Sequence, residues 1–265
     1  DVADATKALG DAPRRFLLRK SPSKVGVTAA LAGLPPLRSR ISKEKDSHEA
    51  WLVALREAPR GLKTWRLPLR SEIETLMTRF TKMAAHNASA GGAFIPMVVA
   101  PGEDMPRELR SWYLDERLGG VIQHETRSHM RSDLHRYLFA SCFAESQHYA
   151  PTLRNFPPRL LPAHVNVDED TIPFVDRFRV QLGNAPSSTV VAHIAKDGHY
   201  YIHPDPAQCR SLTVREAARL QTFPDNYFFE GNRTEQYAQI GNAVPPLLAR
   251  KIAKVILKFL SSAHE

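Results

Sequence analysis

Cys142 and Cys209 are the two thiols in this 265-residue chain. A thiol does covalent chemistry only as a thiolate, which needs a neighbouring base or cation, or a helix N-terminus. Neither cysteine has a base partner in its sequence neighbourhood. Cys142 stands in Ala-Ser-Cys-Phe-Ala on the apolar side of a predicted helix, and Cys209 stands in Ala-Gln-Cys-Arg. Both read as structural, and with no C-x-x-C pair neither a disulfide framework nor a Cys-rich zinc site is expected. His199 and His203 lie four apart around a predicted strand with no third ligand, and His124-Glu125 lacks the second histidine of a zinc-protease helix. No metal site, no phosphate-cradling loop and no catalytic residue are therefore assigned. The chemistry-bearing groups that remain are basic. Arg127, Arg131 and His135 recur four apart, a spacing that puts them on one helix face, which serves either as a solvated surface or as a contact for nucleic acid.

The elements that must carry these groups follow from periodicity and punctuation. Gly33 to Ser39 contains Pro35-Pro36 and reads as a turn or extended loop. A short helix is predicted from Asp46 to Arg56. Another is predicted from Ser71 to Met83, where Ile73, Leu76, Met77 and Phe80 share a face and Ser71 with Glu74 resembles a capping box. Phe94 to Ala100 is a short apolar run whose proline suggests an edge strand. From Glu125 to Ala144 the apolar positions Met130, Leu134, Tyr137, Leu138 and Cys142 predict a basic amphipathic helix. The pattern then turns to β: Phe174 to Leu182 alternates, Thr189 to Ile194 follows, and Asp197-Gly198 supplies a hairpin turn into Tyr200-Tyr201-Ile202. Thr213 and Glu216 form a capping box for a short helix that Pro224 stops, with a polar loop behind it. Gly241-Asn242 makes a tight turn before Val244-Pro245-Pro246. The final helix after it carries an apolar face of Leu247, Leu248, Ile252, Val255, Ile256, Phe259 and Leu260, which must dock on a core.

Lys and Arg number 36 against 28 Asp and Glu, a net charge of +8, and 43% of the residues are hydrophobic. That composition excludes a disordered tail and makes a polyanionic partner plausible. No apolar run approaches the ~20 residues of a bilayer span and no signal-peptide pattern opens the chain, so a soluble protein of the reducing cytoplasm is expected. The first residue, Asp1, is not methionine, which suggests part of something longer.

Two strings in the last quarter carry a resemblance. LTVREAARLQTFPD, from Leu212 to Asp225, and QIGNAVPP, from Gln239 to Pro246, closely resemble the last two conserved motifs of DNA cytosine-5 methyltransferases, in the same order. Residues 189 to 194, with Lys196-Asp197-Gly198 and His203-Pro204-Asp205, look like the segment that re-enters that family's catalytic domain, and 34 to 39 is similar to a segment after its middle motifs. The resemblance implies an α/β fold: the C-terminal portion of a Rossmann-like S-adenosylmethionine-dependent methyltransferase with a mixed α+β target-recognition domain. It implies three stretches, with 1–60 returning from the catalytic domain, 61–205 recognising the target and 206–265 holding the last two motifs and the docking helix. Arg215, Glu216, Arg219 and Gln221 would organise the recognition domain. Asn242, Ala243 and Val244 would border the S-adenosylmethionine pocket. Double-stranded DNA would be held by Arg127, Arg131, Arg136 and Lys196, with His129 beside them.

The family's chemistry adds a cysteine thiolate to cytosine C6, engages N3 with a glutamate and transfers methyl from the sulfonium to C5. It needs a Pro-Cys loop, a Glu-Asn-Val glutamate and a Gly-rich cofactor loop. This sequence has none of them. The expected protein is thus a DNA-recognising part of a methyltransferase, in a bacterial cytoplasm or nucleoid and in a restriction-modification setting. Its catalytic half is its partner and S-adenosylmethionine is shared with that half. The alternatives are a non-catalytic DNA-binding module derived from such an enzyme and a structural interaction protein. An uncovered apolar face on the last helix separates the first from the second.

Overall fold

The structure, a computed structural model, describes residues 18, 24–66, 68–100, 102–162 and 174–262. Parts of all three expected stretches, including 1–17 and 19–23, lie outside the described residues. In chain order the elements are α1 (Val27–Leu31), β1 (Arg40–Ile41), α2 (His48–Glu57), α3 (Arg70–Ala84), β2 (Gly91–Pro96), α4 (Arg107–Tyr113), β3 (Gly120–Glu125), β4 (Ser128–His129), α5 (Arg131–Gln147), α6 (Val214–Leu220), α7 (Arg233–Asn242) and α8 (Pro246–Ser262). The class is mixed α/β. β1 pairs in parallel with β4, and β2 pairs antiparallel with β3 in the register Gly91 to Glu125 and Pro96 to Gly120.

Local chemistry explains most boundaries. Ser47 caps α2 by accepting from the Ala50 amide, and Trp51, Leu52, Ala54 and Leu55 face inward. α3 buries Ile73, Met77, Phe80 and Ala84 at helical spacing, but it starts at Arg70, so Ser71 lies inside the first turn and the expected capping box does not form. The predicted helix from Glu125 starts later, at Arg131, because 120–129 is spent on β3 and β4. Nor is it amphipathic: from Tyr137 to Ala144 every residue is buried, as expected of a helix enclosed by others.

The β reading of 174–202 is corrected. Ala192–Ala195 is a 3-10 helix, and only isolated bridges join Val180 to Ile202 and Ile202 to Ser211. The alternation of Phe178 and Val180 records burial against α5, not a ladder. Asp197-Gly198 does turn the chain, with Gly198 at φ +77° and the Asp197 carboxylate accepting from the His199 amide. The supposed polar loop behind Pro224 contains α7, whose capping box pairs Asn232 with Glu235.

Two apolar clusters hold the chain. One joins α2, α3 and α5 around Trp51, Met77, Phe139 and Phe143, and takes in Phe178, Ile202 and Cys209. The other joins α1, α6 and α7 around Val27, Val190, Tyr201, Ala217, Phe229 and Tyr237. Each cluster therefore draws on more than one of the expected stretches, and the last motifs are packed into the same body as 190–201.

Candidate functional site

Between the two clusters lies a frame of fully buried charge. Arg210 has no exposed surface and forms two bonds of 2.7 Å to the Glu216 carboxylate, whose second task is to accept from the Thr213 amide at 2.7 Å. Arg210 also donates to the carbonyls of Leu37 and Ser211, both at 3.1 Å. Arg219 grips Asp225 through two bonds of 2.9 and 2.7 Å and donates to the Ala32 carbonyl at 2.8 Å. Arg215 has no carboxylate; its guanidinium donates to the carbonyls of Ile122, Pro224 and Tyr227, at 3.1, 3.1 and 2.7 Å, and burial lowers it to about 10. Such forks are strong and directional when water is excluded. Together they tie the 30–38 segment, β3 and the 224–227 loop to one seven-residue helix.

Neutral histidines complete the frame. His124 meets the Thr213 hydroxyl and the Pro35 carbonyl, both at 2.9 Å, and burial pushes it down to about 4. His129 meets Ser39 at 2.9 Å and Ser211 at 3.2 Å, and burial pushes it down to about 3. His203 and His199 are also lowered by burial. The Arg210 guanidinium holds the Glu216 carboxyl below the usual carboxylate range in spite of its burial. The sequence weighs His124 and His203 only as metal ligands and does not single out Arg210 or Asp225, because the partners of all four lie at no helical or strand spacing.

The basic residues expected on DNA divide sharply. Arg127 donates to the Ile194 carbonyl and lies 4.0 Å over the Tyr237 ring. Arg131 places all three of its guanidinium nitrogens on Glu44 and Glu57. Arg136 is held by Asp133 and the Leu160 carbonyl. His129 is buried. Each of these four is thus engaged by other groups of the chain. Lys196 is exposed at the C-terminal end of the 192–195 helix, and it has no side-chain partner among the described residues.

The cysteines are buried in the first cluster, and burial raises both thiols above the ordinary range, which disfavours the thiolate form. Among the described residues no group of three or more His, Cys, Asp or Glu is placed to hold a metal, and no helix is long and apolar enough to cross a membrane.

Asn242, Ala243 and Val244 join α7 to α8. Gly241-Asn242 is not a free turn, as expected, but the last turn of α7. A Cβ on Gly241 would lie 2.2 Å from the Ala192 nitrogen, so this glycine is required by close approach. The Asn242 side chain and Val244, 61% exposed, lie at the surface beside α8. On α8 itself Leu248, Ile252, Ile256, Leu257, Phe259 and Leu260 are 38% to 65% exposed.

Comparison with known proteins places this frame. The profile of the C-5 cytosine-specific DNA methylase family matches residues 109–258, a span that takes in Arg210, α6, α7 and most of α8. The frame lies within the span matched to this family, in a mixed α/β body. The chain belongs to the C-5 cytosine-specific DNA methylase family. It is 56% identical over 104 residues to the type II methyltransferase M.Bpa9945I of Bacillus paralicheniformis, a match covering 39% of this chain and 23% of that protein. It is 48% identical over 95 residues to the type II methyltransferase M.AgeI of Thalassovita gelatinovora, covering 36% and 22%. It is 49% identical over 77 residues to the DNA (cytosine-5-)-methyltransferase M.ApeKI of Aeropyrum pernix, covering 29% and 16%. The matches thus span less than a quarter of these relatives' length.

Proposed function

We propose that this chain is the C-terminal, DNA-recognising part of a cytosine-5 methyltransferase of a restriction-modification system, and that methyl transfer requires a complementary part carrying the Pro-Cys nucleophile. The observation that carries this reading is the apolar face of α8. Leu248, Ile252, Ile256, Leu257 and Leu260, exposed on one 17-residue helix, fit an interface with another part better than the surface of a stand-alone module. The occupant that fits is the catalytic part of the same enzyme, because the family motif runs directly into this helix and the matches cover under a quarter of the relatives.

In this reading the buried arginine frame fixes the recognition region to α6, Lys196 meets the DNA backbone, and the target cytosine is flipped toward the complementary part. Asn242, Ala243 and Val244 form one wall of the S-adenosylmethionine site; the cofactor supplies the methyl group for cytosine C5. The chain's own residues bind, orient and exclude water. They provide neither thiolate nor general base.

The test is reconstitution. This chain and a catalytic half containing the Pro-Cys loop are mixed and resolved by size-exclusion chromatography, with wild-type α8 and with Ile252→Glu and Ile256→Glu. A stable complex lost in both variants is expected. Complexes of equal stability with the variants would exclude α8 as the interface.

A further inference from the structure

The buried charge frame leaves two residues of the 212–225 motif unexplained. Gln221 follows the last turn of α6 and is almost fully buried. Its Nε2 lies 3.1 Å from the Val190 carbonyl, 3.2 Å from that of Ile240 and 3.4 Å from that of Ala243. Two N–H groups are thus shared among three segments: the stretch leading to Lys196, the end of α7 and the α7–α8 junction. Thr222 sits at φ +61°, a conformation unfavourable for a β-branched residue. In that conformation its hydroxyl accepts from the Leu247 amide at 3.1 Å and its carbonyl from the Trp112 indole at 2.7 Å. Gly241 closes the arrangement, since its missing Cβ lets α7 lie directly on the backbone of Val191 and Ala192.

At Gly241 the end of α7 lies directly on the backbone of 191–192, and beside it the Gln221 carboxamide bridges the Val190 carbonyl to that of Ile240. The loop that presents Lys196 and the turn that presents Asn242 and Val244 are two ends of one hydrogen-bonded unit about a single carboxamide. Because the three carbonyls share one carboxamide, a shift of the backbone at one end alters the bonds that hold the other.

We propose that Gln221 is a positioning residue that couples ligand occupancy at the Asn242–Val244 turn to DNA binding at the 190–196 loop. The identities of the two ligands rest on the function proposed above; the coupling rests on the bonds of Gln221.

The experiment uses the intact enzyme, this chain together with its catalytic part, and the probes are S-adenosylhomocysteine and random-sequence duplex DNA. The wild type should bind DNA about fivefold more tightly with S-adenosylhomocysteine present, the lower end of ordinary coupling. Amide exchange should slow in peptides covering 188–196 as well as 240–247 when S-adenosylhomocysteine binds, without DNA. Gln221→Met keeps the length and removes the donors. It should bind each probe with the coupling reduced to within about twofold, and with protection confined to 240–247. Should that variant fail to fold, the wild-type exchange pattern decides: protection confined to 240–247 overturns the proposal. Undiminished coupling in a folded Gln221→Met overturns it too, and leaves the methyltransferase reading intact. If the wild type binds neither probe, that reading fails and the coupling with it.

Discussion

Replacing Glu216 by glutamine changes one oxygen to an amide nitrogen and keeps the shape. The wild-type carboxylate accepts two bonds from Arg210, at 2.7 Å each, and one from the Thr213 amide, inside a region where both charged side chains are essentially inaccessible. Glutamine can still reach back to Thr213, since either residue serves at that position of a capping box, so little of the loss comes from the helix start. The loss comes from Arg210, left with an uncompensated charge and an amide N–H pointed at its own N–H groups. Breaking one side of a buried ion pair costs about 3–5 kcal/mol, a large share of the roughly 5–15 kcal/mol by which domains are stable. In a chain of this size the thermal midpoint should fall by roughly 10 °C. The assay is urea unfolding followed by tryptophan fluorescence and circular dichroism. Arg210→Met, Glu216→Met and their combination then give the pair's coupling, which should be about 3 kcal/mol. A Glu216→Gln protein within about 1 kcal/mol of wild type would refute the view that this pair holds the frame together.

Acid should act on the same frame. His124 and His129 are neutral in the folded chain, at about 4 and about 3, while the unfolded chain titrates near the usual 6.5. Below 6.5 the unfolded state therefore binds more protons, and stability falls as the pH falls, by on the order of 3 kcal/mol for each by pH 4. Urea midpoints that do not move between pH 7 and pH 5 would contradict this. On the DNA side, Lys196→Glu should weaken binding to all duplexes and lower the salt slope by about one. Arg131→Ala, which loses only an internal ion network, should leave the slope unchanged; a reversed ranking of the two in salt titrations would remove Lys196 from the interface. Gly241→Ala should destabilise by about 1–3 kcal/mol in thermal melts although alanine favours helix, because the new Cβ meets backbone and not a movable side chain. A stabilised Gly241→Ala protein would show that α7 does not lie against 191–192.

Helices with a local signature were legible before the structure. The spacing of Ile73, Met77 and Phe80 and the pair Thr213 with Glu216 each announce themselves within about two turns of helix. Asn232 with Glu235 carried the same signal for α7 and was passed over as a polar loop. What could not be read is what distant contacts decide. The alternation of 178–182 marks burial beneath α5, and only the placement of 199–202 shows that no ladder forms. The contacts of Arg127 with the Ile194 carbonyl and of Arg131 with Glu44 and Glu57 join residues 67, 87 and 74 apart in sequence, so no local spacing announces them, whereas Asp133 lies three residues from Arg136. The motif residues Arg215 and Arg219 were placed as organisers by resemblance. Their carbonyl and carboxylate partners follow from the fold alone.

The most direct test of the whole account is transfer of labelled methyl from S-adenosylmethionine to duplex DNA, with this chain alone and with this chain mixed with a catalytic half that carries the Pro-Cys loop. The account predicts label in DNA only in the mixture, at cytosine C5, and its loss when Ile252→Glu opens the α8 interface. Label transferred by this chain alone would contradict it, since both of its cysteines are buried with raised thiol pKa values.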